Sequence, residues 1–93
     1  MNEVFVSTRW VNLFFPNEVV FNEKGVTFKI NRLIGGTESF VFYTDISGVE
    51  IDKGLFFATI RAIPRARPEI IIKSFYKKDA AEIKKLILER VKS

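Results

Sequence analysis

Histidine and cysteine are both absent from this chain of 93 residues. Without a thiol or an imidazole, the chain forms no disulfide, has no cysteine nucleophile or histidine base, and lacks the usual protein ligands of zinc and haem. No apolar run approaches the length that spans a membrane. The first residues also lack the basic and apolar pattern of a secretory leader, so we expect a cytoplasmic protein.

The composition is that of one folded unit. Hydrophobic residues make up 47% and charged residues 28% of the chain, values ordinary for a globular protein. We therefore expect a single domain over residues 1–93, with a core over residues 18–91. The net charge of +4 is concentrated in residues 47–93, so an anionic partner would be sought in that half.

One segment has a helical period. Over residues 77–92, the apolar side chains of Ala80, Ile83, Ile87 and Val91 recur at steps of three and four, which predicts an amphipathic helix. The opposite face carries both lysine and glutamate. A lone helix with an apolar stripe has to cover something apolar, and the chain before it is mostly of strand type.

The preceding chain predicts six strands joined by short turns. They fall at residues 19–21, 26–30, 39–43, 49–52, 55–63 and 70–72, the last of them buried. The turn Asn22–Gly25 would place Gly25 at a positive φ. Residues 3–15 fit either two short strands or a helical turn. The expected fold is thus mainly β, an antiparallel barrel or sandwich of about seven strands capped by one C-terminal helix.

Four stretches resemble the bacterial pleckstrin-homology-like and GRAM-like domain families. They are Tyr43-Thr-Asp-Ile-Ser-Gly-Val-Glu-Ile51, Gly54-Leu-Phe-Phe-Ala-Thr-Ile60, Ile70-Ile-Ile-Lys-Ser-Phe75 and Lys78-Asp-Ala-Ala-Glu-Ile83. The resemblance implies two bent antiparallel sheets that form a partly open barrel, with the C-terminal helix at one end. At the corner after Tyr43, Ile46 would point inward, Asp45 and Ser47 would accept hydrogen bonds from nearby amides, and Gly48 would permit the bend.

Catalysis and metal binding find little support in the residues. The close acidic group, Asp45, Glu50 and Asp52, does not converge, because Glu50 and Asp52 point outward from a strand. We therefore expect a non-enzymatic protein without a metal or cofactor. Nucleic-acid binding is also disfavoured, since the basic residues do not interleave with exposed aromatic residues.

The basic loop 64–68 is one candidate binding site. Its prolines stiffen a loop from which Arg65 and Arg67 project, and Arg61 and Lys73 could extend the positive surface across the adjoining strands. These four residues are candidates for binding an anionic lipid or another anionic surface. The basic residues of the first hairpin do not match the phosphoinositide-binding pattern of eukaryotic pleckstrin-homology domains.

The ten phenylalanines are the second candidate feature. Phe40, Phe42, Phe56 and Phe57 cannot all point inward, because neighbouring residues of a strand point to opposite faces. Exposed phenylalanines favour an interface with a protein partner or with a second copy. The sequence thus predicts an interaction or assembly module, with anionic-surface binding as the alternative.

Overall fold

The computed structural model describes residues 3–7, 16–31 and 35–92. These residues form seven strands, a short 3-10 turn at Tyr43–Asp45 and one helix. The strands are β1 (Glu3–Val6), β2 (Glu18–Phe21), β3 (Gly25–Asn31), β4 (Gly36–Phe42), β5 (Ile46–Lys53), β6 (Phe57–Pro64) and β7 (Ile70–Tyr76), followed by helix α1 (Lys77–Lys92). The prediction for residues 3–15 is settled only in part: a strand begins at Glu3, whereas residues 8–15 lie outside the described residues.

The strands form two antiparallel sheets. The first sheet has the order β1-β2-β3-β4 and the second has the order β5-β6-β7. The prediction of a mainly β fold with one C-terminal helix is confirmed. A closed barrel is not formed by the described residues, because no strand of the first sheet is paired with a strand of the second; β3 and β7 come into contact without a shared ladder.

Helix α1 has the predicted bounds and buries three of the four residues of the predicted stripe, while Val91 is partly buried. Ala80, Ile83 and Ile87 are fully buried, and the helix contacts the 3-10 turn and all three strands of the second sheet. The buried side chains of both sheets and of the helix form one cluster. The core therefore lies between the inner faces of the two sheets, with α1 closing one side.

The first hairpin turn depends on a glycine for space. Asn22 Oδ1 accepts hydrogen bonds from the backbone N–H groups of Lys24, at 2.8 Å, and Gly25, at 3.0 Å. A Cβ on Gly25 would lie 2.2 Å from the carbonyl oxygen of Val41 and 2.7 Å from the ring of Phe40. The expectation of a positive φ at Gly25 is wrong, since among the glycines described only Gly35 and Gly36 adopt one.

The corner between the sheets bends as expected at Ile46–Gly48. Ile46 is buried, and the pairing of β5 with β6 shifts register between Ile46 and Gly48. Ser47, however, donates its hydroxyl to the carbonyl oxygen of Ile63 at 2.9 Å rather than accepting from an amide. This bond crosses the β5–β6 ladder and holds the shifted register.

Strand β7 is longer and less buried than predicted. Ile72 is buried, but Ile71 points to the opposite face and is exposed. A register shift between Ala58 and Ile60 in the facing strand accompanies Ser74, which has a φ of 74°. The apolar run therefore alternates between two faces, and the interpretation of 70–72 as wholly buried is wrong.

Candidate interaction surfaces

The basic loop between β6 and β7 is tied to the end of the first sheet. Arg65 Nε donates to the carbonyl oxygen of Thr44 at 3.2 Å, and its backbone N–H donates to the carbonyl of Asp45 at 2.8 Å. A guanidinium nitrogen of Arg67 donates to the carbonyl oxygen of Phe40 on the edge strand β4. Both side chains are exposed, but part of their donor capacity is used within the chain.

The other two members of the predicted basic set lie on the second sheet. Arg61 forms ion pairs with Asp52, at 2.8 Å, and with Glu69, at 3.3 Å. The hydrogen bond to Asp52 raises the pKa of Arg61 above its usual value. Lys73 is exposed on the neighbouring strand β7. Because Arg61 sits between two carboxylates, this quartet offers less positive charge to a ligand than its sequence indicates.

The four candidate phenylalanines form two pairs on different sheets. Phe40 and Phe42 lie on β4 with their ring centroids 5.0 Å apart, edge to face. Phe56 and Phe57 lie at the β5–β6 hairpin with centroids 6.5 Å apart, and Phe57 also contacts Tyr76 at 5.6 Å. The single interface predicted from the sequence therefore divides into two surfaces.

The β5–β6 hairpin presents two exposed apolar side chains, which we call the apolar tip (Leu55 and Phe56). Leu55 is 81% and Phe56 73% exposed. The turn is closed by a hydrogen bond of 2.8 Å from the N–H of Gly54 to the carbonyl of Phe57. A Cβ on Gly54 would lie 2.9 Å from that same oxygen. The glycine thus permits a tight turn that pushes Leu55 and Phe56 outward.

Helix α1 separates its charges onto two flanks. At 3.6 residues per turn, its five lysines fall within a sector of about 120° that also holds Ala81 and Leu88 but no acidic residue. The helix's acidic residues follow at one edge of this sector, with Glu89 about 20° and Glu82 about 40° beyond Lys78. We call the first sector the lysine flank; it consists of Lys77, Lys78, Lys84, Lys85 and Lys92.

The lysine flank and the apolar tip are neighbours. Lys77 Nζ donates to the carbonyl oxygen of Leu55 at 3.2 Å, which brings the start of the helix to the hairpin. Further along the helix, a shallow pocket of about 400 Å³ separates α1 from β5; Ile51, Lys53, Ala81, Lys84, Lys85 and Leu88 line it. Lys53 adds a sixth lysine, and Asp52, which precedes it in β5, is paired with Arg61.

Sequence reasoning missed this surface because it described the exposed side of the helix as one mixed face. The positions of the residues at 100° intervals would have shown that all five lysines fall within one sector, with Glu82 and Glu89 at its edge. The closeness of Leu55 and Lys77, 22 positions apart, depends on the tertiary fold.

A separate cluster around Arg90 joins the first strand to the last turn of the helix. Arg90 donates to a carboxylate oxygen of Glu3 and, at 3.0 Å, to the hydroxyl of Tyr43, which donates to the carbonyl of Asn22 at 2.7 Å. The guanidinium also lies 5.3 Å from the centre of the Phe21 ring. The hydrogen bond from Arg90 lowers the pKa of Glu3 below its ordinary value. Arg90 thus links the last turn of α1 to β1 and to the 3-10 turn at Tyr43–Asp45.

Neither a family model, nor a curated protein, nor a solved structure matches this chain. Within residues 3–7, 16–31 and 35–92, no three acidic side chains gather in a way that could hold a metal ion. None of the helices in that part of the chain is long and apolar enough to cross a membrane.

Proposed function

We propose that this protein is a non-enzymatic, pleckstrin-homology-like interaction module that docks on anionic membrane surfaces through its apolar tip and lysine flank. The observation that carries the proposal is the contact between the two features: two exposed apolar side chains adjoin a helix flank with five lysines and no acid. The two-sheet architecture with a C-terminal helix is compatible with the pleckstrin-homology-like family. The cytoplasmic leaflet, which carries the anionic lipids, is the expected target.

The two features complement the two layers of a membrane surface. Lysine ammonium groups next to an anionic leaflet each contribute on the order of 1 kcal/mol, and this contribution weakens as salt rises. Leucine and phenylalanine side chains each gain about 1.5–3 kcal/mol when they leave water completely. Because both contributions come from the same side of the molecule, they add without any rearrangement of the fold.

The lysine flank is a stronger candidate than the basic loop. Arg61 is engaged by two carboxylates, and Arg65 and Arg67 donate to backbone carbonyls. In the lysine flank Lys77 also donates to a backbone carbonyl, but three further lysines of that flank are exposed.

The apolar pair beside the loop, Phe40 and Phe42, is also less exposed, at 36% and 49%, than Leu55 and Phe56. We therefore assign anionic-surface binding to the lysine flank, and a double variant of the basic loop serves as the matched control.

The test is co-sedimentation with phosphatidylcholine vesicles that contain or lack phosphatidylserine. We expect the wild-type protein to sediment with the phosphatidylserine vesicles at low salt and to dissociate as salt rises. Replacing Lys78 and Lys85 together by glutamate should abolish binding, and Leu55→Ser with Phe56→Ser should weaken it strongly. The double variant Arg65→Ala and Arg67→Ala should bind nearly as well as wild type.

The comparison of the two double variants decides between the basic surfaces. If the arginine variant loses binding and the lysine variant keeps it, the loop is the site and our assignment is wrong. If wild-type protein ignores phosphatidylserine vesicles at low salt, membrane docking itself is refuted. Thermal unfolding of each variant has to remain close to wild type for these comparisons to hold.

A further inference from the structure

The outer face of the first sheet carries a row of three apolar residues and one threonine that crosses all four strands, which we call the apolar row (Val4, Val20, Thr27 and Phe40). The strand registers align Val4 with Val20, Val20 with Thr27, and Thr27 with Phe40. The residues that alternate with them, such as Val19 and Val41, are buried in the core, so these four side chains point outward. Val4 is 53% and Phe40 36% exposed.

Phe42 continues the apolar surface beyond this row. It is 49% exposed, and its ring packs edge to face against Phe40. The ring of Phe40 lies over Gly25 of the neighbouring strand. Helix α1 packs on the opposite, second-sheet side of the molecule. Among the described elements, none is found to pack on this outer face.

A charged row borders the apolar row on the same face. The registers align Val6 with Glu18, Glu18 with Lys29, and Lys29 with Glu38. Lys29 Nζ lies 3.9 Å from Glu38 Oε1. Each strand therefore contributes one residue to each row. In the charged row, Lys29 stands between Glu18 and Glu38, and β1 contributes Val6.

We propose that this face docks on the same face of a second copy of the chain. The two-fold axis lies in the interface, parallel to the strands and above the gap between β2 and β3. It places β1 over β4 of the second copy and β2 over β3 of the second copy. Phe40 then lies over Val4 of the second copy, and Glu18 lies over Lys29 of the second copy.

Each contact occurs twice, because the interface is isologous. A large side chain meets a small one, and Glu18 meets Lys29, so the two inner strands are complementary in charge. Glu38 faces Val6 of the second copy at the edge of the interface and keeps Lys29 of its own chain as its basic neighbour.

The size of the face sets the strength of the dimer. Four strands spaced at about 4.8 Å, paired over four residues that each rise about 3.3 Å, make a face of roughly 19 by 13 Å, or about 250 Å². This is well below the surface of about 800 Å² that each partner contributes to a typical stable complex. The dimer should therefore be weak and dependent on concentration, with monomer and dimer in rapid exchange. Sheet faces that stack in this way stay roughly aligned, which keeps both rows in contact.

The registers allow a charge-exchange experiment in solution, without lipid. In Glu18→Lys, lysine would face Lys29 of the second copy twice, and in Lys29→Glu, glutamate would face Glu18 twice. We expect each variant alone to lose self-association at least tenfold. An equal mixture of the two should restore a heterodimer, because every facing pair then combines one acid with one base. Analytical ultracentrifugation from micromolar to millimolar concentration measures all three samples.

Two further variants distinguish the loss of this interface from other causes of weaker self-association. Glu50→Lys makes the same charge change on a strand of the second sheet and should dimerise like wild type. Val4→Ser removes an exposed apolar contact and should weaken the dimer while leaving the melting temperature unchanged. The proposal is overturned if wild-type protein stays at 10.7 kDa throughout. It is also overturned if a dimer forms that neither single charge variant weakens or that mixing does not restore.

This inference is independent of the proposed membrane docking. The apolar row lies on the first sheet, whereas the lysine flank lies on α1 beside the second sheet. Dimerisation without lipid and vesicle binding by a monomeric charge variant are thus separate results, and either one can fail alone. A dimer would bring two lysine flanks to one particle, so that vesicle binding should strengthen at protein concentrations where dimers form.

Discussion

The substitution Ile87→Ala should lower the free energy of unfolding substantially. Ile87 is fully buried in the stripe by which α1 packs on the core. The change deletes three carbons, which corresponds to about 2.4 kcal/mol at about 0.8 kcal/mol for each buried methylene. If the surroundings do not collapse, a cavity term raises the loss to about 4 kcal/mol. Alanine favours helix, so helix propensity does not add to the loss.

The next residue of the helix supplies the control. Leu88 is part of the exposed flank, so Leu88→Ala should cost less than about 1 kcal/mol, as surface substitutions usually do. Urea denaturation followed by circular dichroism measures both variants against wild type. A protein of this size has a total stability of about 5–14 kcal/mol, so the predicted loss is easily resolved. Equal small losses in the two variants would refute the packing of α1 on the core.

Two other variants test local features. Gly25→Ala should destabilise the protein by about 1–3 kcal/mol, because its Cβ would meet the carbonyl of Val41 at 2.2 Å; Gly48→Ala, whose Cβ would meet only Ile63 at 3.8 Å, should cost far less in the same melts. Glu3→Gln should make the free energy of unfolding depend less on pH in the acid range. The lowered pKa of Glu3 means that its ionised form stabilises the fold above the pKa of the unfolded chain, and this contribution is lost as pH falls through the folded pKa. Wild type and variant should therefore differ most near neutral pH and converge in acid, and parallel profiles would contradict the role of the Glu3–Arg90 pair.

The sequence predicts local structure well where one period dominates. The helix over residues 77–92 follows from the spacing of Ala80, Ile83 and Ile87, and its bounds are those observed. The inward direction of Ile46 follows from the corner pattern. Strand β7 was less predictable, because three consecutive isoleucines carry no alternation and conceal the outward direction of Ile71.

The candidate surfaces depend on pairings that the sequence does not contain. The ion pairs of Arg61 with Asp52 and Glu69 arise from the β5–β6 register and from the path of the following loop. The apolar row from Val4 to Phe40 likewise requires three strand registers. Composition correctly indicated exposed phenylalanines, but only the fold divides them between two sheets.

Insertion of the apolar tip into an anionic membrane is tested most directly by fluorescence. The chain has one tryptophan, so Trp10→Phe combined with Phe56→Trp places a single probe at the tip. With phosphatidylserine vesicles that carry brominated acyl chains, we predict a blue-shifted and quenched emission. A control probe, Ile71→Trp combined with Trp10→Phe alone, lies on the outer face of the second sheet and should not be quenched. An unquenched probe at position 56, or equal quenching of both probes, would contradict docking through the tip.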